Sequence, residues 1–305
     1  HQVYLGSMYK EVLESDTYLD GRGSTVGKVI DGSITDQSLT GIAGVSNIGT
    51  DRNWTSHPFA QANWYVFGRL AWDYEQSASE IADEWIRMTF GNDPKVVKSV
   101  KDMMLMSYET MVDYMTPMGL HHIMAAGHHY GPGPWVDNMS RADWNSTYYH
   151  RADSLGLGFD RTETGSDAVS QYQRPVERIF GSAEKCPEKF LLWFHHIGWH
   201  EEMQSGLTLW EELCQHYENG VSKVGQMLEI WESLENKIDR ARYEHVLSLL
   251  RIQWKEAKWW RDACLTYFQT FSGMPLPEGV PAAEHDLNYY KNLRFPYAPG
   301  IRPRW

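Results

Sequence analysis

Hydrophobic positions recur every three or four residues along most of the chain, which is the spacing of one helix face. The pattern is strongest near the carboxyl end, where Val246, Leu250 and Trp254 share a face. The same spacing predicts a mainly helical chain. The predicted helices are 9–16, 58–72, 78–90, 94–115, 171–180, 188–204, 207–234, 239–272 and a short one near 284–293.

Several of these helices carry recognisable end signals. Ser77 and Glu80 form a capping-box pattern, and Gly91 marks the stop of the same helix. Ser7 is the predicted cap of the first helix. The glycine-rich stretch 21–33 is predicted to be a loop.

One segment, GIAGVSN at 41–47, is short, small and apolar, as expected of a fully buried strand. With the polar loop and helix that follow, it forms one βα unit. A buried strand needs backbone partners on both sides, so the partners must come from elsewhere. We interpret the segment as the last βα unit of a (β/α)8 barrel whose earlier strands precede residue 1. Because the chain also lacks an initiator Met, we expect it to be a fragment.

Composition narrows the class of protein. The chain of 305 residues has 42% hydrophobic residues, a net charge of −12 and no dense basic run, which disfavours nucleic acid as a partner. No apolar run reaches the length of a membrane span, and no signal peptide is visible, so we expect a soluble protein, cytoplasmic rather than secreted. Cys186, Cys214 and Cys264 are interpreted as inert buried thiols.

Two polar segments are candidate binding sites. In a barrel, ligands contact the loops after the strands, which here contain Asn47, Arg52 and Trp54. The loop 128–144 ends in Trp144, which has the character of a sugar platform: a flat apolar face with polar neighbours. The alternatives are a solvated connection for the first segment and ordinary packing for the tryptophan of the second.

Histidine pairs raise the possibility of a metal site. His196 and His200 are four residues apart, so they share one face of the predicted helix 188–204, beside Glu201. The stretch lacks the glutamate of an HExxH motif, and His121, His122, His128 and His129 show no ligand spacing. Structural histidines are the favoured interpretation, and no metal or cofactor is predicted.

Longer strings carry a family resemblance. GIAGVSNIGTDRNWTSHPFAQANWYVFGRLAW, EIADEWIRMTFG, HHYGPGPWV and RADWNSTYYHRAD resemble the C-terminal half of α-glucuronidases of glycoside hydrolase family 67, and the resemblance covers essentially the whole chain. It implies the end of the catalytic barrel at 1–76 and a helical C-terminal domain at 77–305. It also implies a homodimer formed through the helical domain and a missing N-terminal half of the same protein.

The resemblance implies an activity as well. Such enzymes remove 4-O-methylglucuronic acid, α-1,2-linked to the terminal xylose of xylooligosaccharides, by a metal-independent inverting mechanism. Their catalytic acid and base lie upstream of the matching region, so no catalytic residue is assigned, and Glu11 and Glu14 are interpreted as an ordinary helix face.

Substrate contacts do carry over from the resemblance. The helical domain of these enzymes closes the sugar pocket with a tryptophan, which matches Trp144. Asn47, Arg52 and Trp54 are further expected substrate contacts, and the arginine suits a uronate carboxylate. The alternative hypothesis is a non-catalytic helical module that binds carbohydrate or another partner.

Overall fold

A computed structural model describes residues 1–46, 50, 52–125 and 131–293 of the chain. These residues form a mainly helical structure. The α-helices are α1 (Gly6–Glu14), α2 (Val26–Ile30), α3 (Pro58–Trp72), α4 (Ala78–Phe90), α5 (Pro94–Met115), α6 (Ser146–His150), α7 (Arg174–Phe180), α8 (Leu191–Phe194), α9 (Leu209–Glu232), α10 (Arg240–Ser272) and α11 (Leu287–Asn292). Short 3-10 helices occupy Pro117–Gly119, Ala142–Trp144, Ala168–Gln171 and Glu188–Phe190.

The chain divides into two compact units. The first unit contains His1–Met111 and Lys223–Trp254, and the second contains the described residues of Val112–Ser222 and Lys255–Trp305. None of the described helices is both long and apolar enough to cross a membrane.

The first unit is built around one apolar core. Helices α1, α3 and α4 contact one another in it. The core includes Phe59, Trp85, Ile86 and Trp231, all nearly or fully buried. Because each of these helices carries its apolar residues on one stripe, burying the stripes together removes a large apolar area from water. The predicted helices of this unit are confirmed by this packing.

Helix α4 shows how local sequence sets a helix end. Ser77 is its N-cap, and its side chain accepts a hydrogen bond from the backbone N–H of Glu80. The Glu80 carboxylate accepts in turn from the Ser77 backbone, which completes the predicted capping box. Gly91 ends the helix with a positive φ of 95°, a conformation that suits glycine.

The predicted cap at Ser7 is wrong. Helix α1 begins one residue earlier, at Gly6, and its N-cap residue Leu5 makes no side-chain cap hydrogen bond. Tertiary contacts hold the entry to the helix instead, because the Asn63 side-chain amide accepts from the Leu5 N–H and donates to the carbonyl of Val3.

The predicted loop at 21–33 contains one short helix, α2. Thr25 caps it by accepting from the N–H of Lys28. The Asp16 carboxylate accepts from the N–H groups of Tyr18 and Gly23 and so holds the turn that precedes the helix. The glycines of this stretch therefore shape a turn without excluding a helix after it.

The predicted buried strand at 41–47 is also wrong for its described part. Residues 41–46 form no strand and are exposed, and Asn47 lies outside the described residues. The apolar character of the segment is insufficient, because a strand forms only when neighbouring strands satisfy its N–H and C=O groups. The described residues supply no parallel partner for this segment.

The second unit contains the only two strands among the described residues. The strands β1 (Gly156–Leu157) and β2 (Ile197–Gly198) pair in antiparallel fashion. No strand was predicted in this part of the sequence. A Cβ atom on Gly156 would lie 2.0 Å from the carbonyl oxygen of Ile197, so only glycine allows the two backbones to approach this closely.

This pairing explains a further correction. The predicted helix 188–204 is limited to a 3-10 turn and the four residues of α8. His195 ends α8 in an extended conformation, and the chain continues into β2. Pairing with β1 takes the backbone groups that a longer helix would need, so distant residues override the local apolar pattern.

Candidate functional site

The segment that carries Trp144 is fixed by one buried asparagine. The Asn145 side-chain oxygen accepts from the Met139 N–H at 2.7 Å, and its amide nitrogen donates to the Arg141 carbonyl at 3.0 Å. Only 8% of Asn145 is exposed, so these bonds are made away from solvent. They close the loop 139–145 on itself and place the adjacent tryptophan at the surface.

Trp144 itself is 47% exposed. The Arg141 guanidinium lies 5.2 Å from the centre of its ring and also forms two hydrogen bonds with the Asp143 carboxylate. An exposed indole beside ordered polar groups is the arrangement with which proteins hold sugar rings. The structure thus places the Trp144 indole at the surface of the second unit, and its contact with a sugar stays a prediction.

His150 anchors the helix that follows. Its Nδ1 accepts from the Ala152 N–H at 2.9 Å, so its Nε2 carries the proton and donates to the Pro134 carbonyl at 2.7 Å. Burial lowers the pKa of His150 to about 4, which keeps the ring neutral near pH 7. The residue is structural and holds α6 against the preceding loop.

Aromatic side chains gather beside this helix. Tyr149 stacks on Trp193 with ring centres 6.1 Å apart and donates its hydroxyl proton to the carbonyl of Asp143, the neighbour of Trp144. The rings of the second unit that contact one another here form what we call the aromatic cluster: His121, His122, Tyr148, Tyr149, Phe159 and Trp193. All six rings are at least partly exposed.

Two arginine side chains lie against rings of the aromatic cluster. The guanidinium carbons of Arg151 and Arg161 lie 4.5 and 4.2 Å from the centre of the Phe159 ring. Arg161 also lies 3.7 Å from the Trp193 ring centre and donates to its carbonyl. Burial lowers the pKa of Arg161, and the charge of Arg151 adds to this effect.

Neither of these arginines has an acidic partner among the residues that the structure describes. Seven of the thirteen arginines that the structure describes do, Arg141 and Arg261 among them. These two guanidinium groups concentrate positive charge in a chain whose net charge is −12, and guanidinium is the group that pairs best with a carboxylate. Sequence reasoning missed both residues, since no local pattern distinguishes them from surface arginines.

The other predicted contacts lie in the first unit. Trp54 is 41% exposed and contacts Trp64 with ring centres 6.0 Å apart, and Arg52 is exposed. His57, in the same loop, is the N-cap of α3, where its Nδ1 accepts from the Ala60 N–H. These residues belong to the first unit, whereas Trp144 belongs to the second. Asn47 lies outside the described residues.

The carboxylates at the start of the chain behave as an ordinary helix face. Glu14 is exposed and pairs with Lys10 at 2.9 Å, four residues away on α1. This matches the i, i+4 ion pair of a solvated helix surface. It offers no arrangement of two facing carboxylates that glycoside hydrolysis requires.

The predicted histidine pair does not form a metal site. His196 and His200 do not share a helix face, because the helix 188–204 does not extend to them. His196 lies 3.4 Å from the Asp153 carboxylate, and His200 is exposed. Among the described residues, Glu188, Glu212 and His216 could hold a metal, because their ligand atoms lie within 4.8 Å of one another.

His216 is the centre of this second cluster. Its Nδ1 lies 2.8 Å from Asp113 Oδ1, and its Nε2 lies 2.8 Å from Glu188 Oε1. Burial by itself would lower the pKa of His216, but hydrogen bonds to the two carboxylates raise it to about 9. The signal that could have found this group is Glu212 and His216, an acidic residue and a histidine four apart on a strongly amphipathic helix.

Comparisons with known proteins agree with the resemblance in the sequence. A family model described as "Glycosyl hydrolase family 67 C-terminus" matches residues 55–281, and one described as "Glycosyl hydrolase family 67 middle domain" matches residues 1–54. Together they cover residues 1–281.

Curated fungal proteins are similar to the chain over 90% of its length. "Alpha-glucuronidase A" of Emericella nidulans is 34% identical over 279 residues, and "Alpha-glucuronidase A" of Aspergillus tubingensis is 34% identical over 278. The matched part is 32% of each of these proteins, so the chain spans about a third of their length. By the two family models and these relatives, the chain belongs to glycosyl hydrolase family 67.

Proposed function

We propose that the chain is part of an α-glucuronidase and forms part of its substrate site. The reaction is the removal of (4-O-methyl-)glucuronic acid, α-1,2-linked to the terminal xylose of xylooligosaccharides, with inversion. A general acid protonates the leaving oxygen and a carboxylate base activates water on the opposite face of the sugar. Both carboxylates belong to sequence upstream of these 305 residues, which supply substrate contacts.

One observation carries this proposal: an exposed tryptophan and two arginines without acidic partners lie in the same unit of a family 67 chain. A uronic acid offers two recognisable features, an apolar ring face and a carboxylate. The Trp144 indole suits the first by ring contact, and the guanidinium groups of Arg151 and Arg161 suit the second by charge-assisted hydrogen bonds. A neutral sugar would leave the arginines without a function in binding.

The stacking role of Trp144 is tested in the full-length enzyme. Trp144→Ala is expected to raise KM for an aldouronic acid roughly two- to tenfold, since such a ring contact contributes about 0.5–1.5 kcal/mol. Trp72→Ala is the matched control, because Trp72 is 89% exposed and lies in the first unit. Equal KM values for the wild type and Trp144→Ala would reject the role.

The charge role is tested separately with Arg151→Gln, because Arg151 is exposed and its replacement is expected to leave the fold intact. The variant is expected to weaken inhibition by free glucuronate and to leave inhibition by unsubstituted xylotriose unchanged. Equal weakening of both would indicate that the arginine supports the shape of the site and does not bind the carboxylate.

Three further expectations belong to the same proposal. The barrel end is expected at 1–76 and the helical domain at 77–305. Homodimer formation through the helical domain is expected in analytical ultracentrifugation of the full-length protein. The alternative, a non-catalytic carbohydrate-binding module, would be supported if the full-length protein bound aldouronic acid and released no methylglucuronate during long incubation.

A further inference from the structure

We propose that Glu188, Glu212 and His216 form a binding site for a divalent transition-metal ion, with Zn²⁺ as the best fit. The three residues come from the second unit alone. Glu212 and His216 lie one turn apart on α9, and Glu188 opens the 3-10 helix Glu188–Phe190. None of the three residues belongs to the aromatic cluster.

The ligand atoms already lie near the separations that zinc requires. With bonds of 2.0–2.2 Å in a tetrahedral arrangement, two ligand atoms are about 3.3 Å apart. His216 Nε2 lies 2.8 Å from Glu188 Oε1 and 3.9 Å from Glu212 Oε1, one shorter and one longer than this value. Shifts of about 0.5 Å at each side chain would bring both to it.

The carboxylate behind His216 is the contact that most favours a metal. Asp113 Oδ1 accepts from His216 Nδ1 at 2.8 Å, and Asp113 Oδ2 accepts from the Asn219 side-chain amide at 2.9 Å. This arrangement fixes the orientation of the ring and turns Nε2 toward the two glutamates. A carboxylate behind a histidine ligand is the usual support of metal-binding imidazoles, because it fixes the tautomer and raises the basicity of the other nitrogen.

The donor set favours one class of ion. One imidazole nitrogen suits Zn²⁺ and other borderline transition metals, whereas Ca²⁺ and Mg²⁺ prefer oxygen ligands alone. Three carboxylates surround the single imidazole at this position. A divalent cation bound to a neutral imidazole would balance more of that negative charge than one proton does.

The site also has an entrance and room for a fourth ligand. Glu212 and His216 line an open cavity of about 370 Å³, together with Gln215, Glu218 and Asn219. The cavity exposes Glu212 and His216 to solvent, and a water molecule can complete the coordination as in three-ligand zinc sites.

The experiment is a calorimetric titration of the chelator-treated 305-residue chain with ZnCl2, MgCl2 and CaCl2. One Zn²⁺ per chain is expected, with no comparable heat from the other two ions. His216→Ala is expected to abolish this binding, and Asp113→Asn to weaken it about 10- to 100-fold. His200→Ala is the matched control, an exposed histidine outside the cluster, and is expected to bind like the wild type.

Two measurements keep the test decisive if His216→Ala folds poorly. Glu212→Gln preserves the shape of the side chain and is expected to weaken zinc binding while its circular dichroism melt stays that of the wild type. Co²⁺ is expected to give the visible absorption of a tetrahedral site with the wild-type chain only. Absence of Zn²⁺ binding, or binding that survives both Glu212→Gln and His216→Ala, would overturn the proposal.

Discussion

The two units of the molecule bury different kinds of side chain. Among the described residues, the buried Asp, Glu and Arg side chains all belong to the second unit: Asp113, Arg161, Glu256, Arg261 and Asp262. The buried polar residues of the first unit, such as Gln2, Ser107 and Gln253, are uncharged. The first unit is therefore a conventional apolar core, whereas the second combines an apolar core with buried ionic contacts.

The ionic contacts of the second unit form networks. Arg261 Nη2 lies 2.7 Å from Asp262 Oδ1, and Nη1 of the same residue lies 2.5 Å from Glu218 Oε2. The other oxygen of Asp262 accepts from the Tyr290 hydroxyl and from the Glu284 N–H, which ties the segment around α11 to α10. Burying a charge is costly unless the group is paired or hydrogen-bonded, as these groups are.

The two candidate sites follow this difference between the units. Both candidate sites, the aromatic cluster with its arginines and the group around His216, lie in the unit that keeps charge away from water. Buried charge is costly and adds little net stability, so a fold that contains it has commonly kept it for binding or specificity. In the first unit, by contrast, the described buried side chains are uncharged.

The largest effect is expected from the apolar unit. Trp231 is fully buried, stacks on Tyr243 and meets the edge of the Phe90 ring. Trp231→Ala is expected to lower the free energy of unfolding by about 3–5 kcal/mol, because it leaves a large cavity. Urea denaturation measures the loss, with the exposed Trp72→Ala as a control near zero. A loss below about 1 kcal/mol would contradict the described core.

The matching change in the second unit is Arg261→Met. It keeps an apolar stem but leaves the Asp262 carboxylate buried and uncompensated, so the expected loss is about 3 kcal/mol. Arg240→Met is the control: Arg240 is 92% exposed and its ion pair with Glu244 is 4.0 Å long, so no measurable change is expected. If both variants unfolded at the same urea concentration, the contrast between the units would fail.

A smaller effect is expected from pH. The pKa of His150 is about 4 in the folded chain, against 6.5 as its ordinary value, so the unfolded chain binds the proton more strongly. Stability is therefore expected to fall as pH decreases from about 6.5 to about 4, with a slope near 1.4 kcal/mol per pH unit from this group. His150→Gln is expected to reduce the slope in denaturation measured across this range. An unchanged slope would show that His150 is protonated in the folded state.

The smallest effect compares two serines of the first unit. Ser77→Ala removes the capping box of α4 and is expected to cost about 1 kcal/mol. Ser7→Ala is expected to be neutral, because Ser7 lies inside α1 and caps nothing. Thermal melts of the two variants measure the difference. A larger loss for Ser7→Ala would restore the cap that the sequence suggested.

Much of the fold follows from the sequence, but only where the signal is local. Helices α3, α4, α5, α9 and α10 match their predictions because long amphipathic stripes, prolines in the first turn and glycine stops all act within a few residues. The failures have a common cause. The segment 41–46 forms no strand, because the described residues offer it no partner strand, and the helix 188–204 gave way to pairing between β1 and β2.

The residues of the candidate site also divide into one predicted from local sequence and two that only the tertiary contacts distinguish. Trp144 was predicted from the polar neighbours beside it and from the family strings, and its role in substrate contact stays a prediction. Arg151 and Arg161 became significant only through the Phe159 ring that they share, and no single stretch of sequence shows that neither meets a carboxylate.

The sequence by itself determined the helical character of the chain, its best-capped helix and its membership of family 67, since periodicity, caps and long strings are properties of neighbouring residues. The tertiary structure decided which charges are buried and which side chains meet. His216 and Asp113, for example, are 103 positions apart and form a hydrogen bond of 2.8 Å. Such contacts depend on how helices pack, because packing brings together residues that are distant in sequence and that carry no shared local pattern.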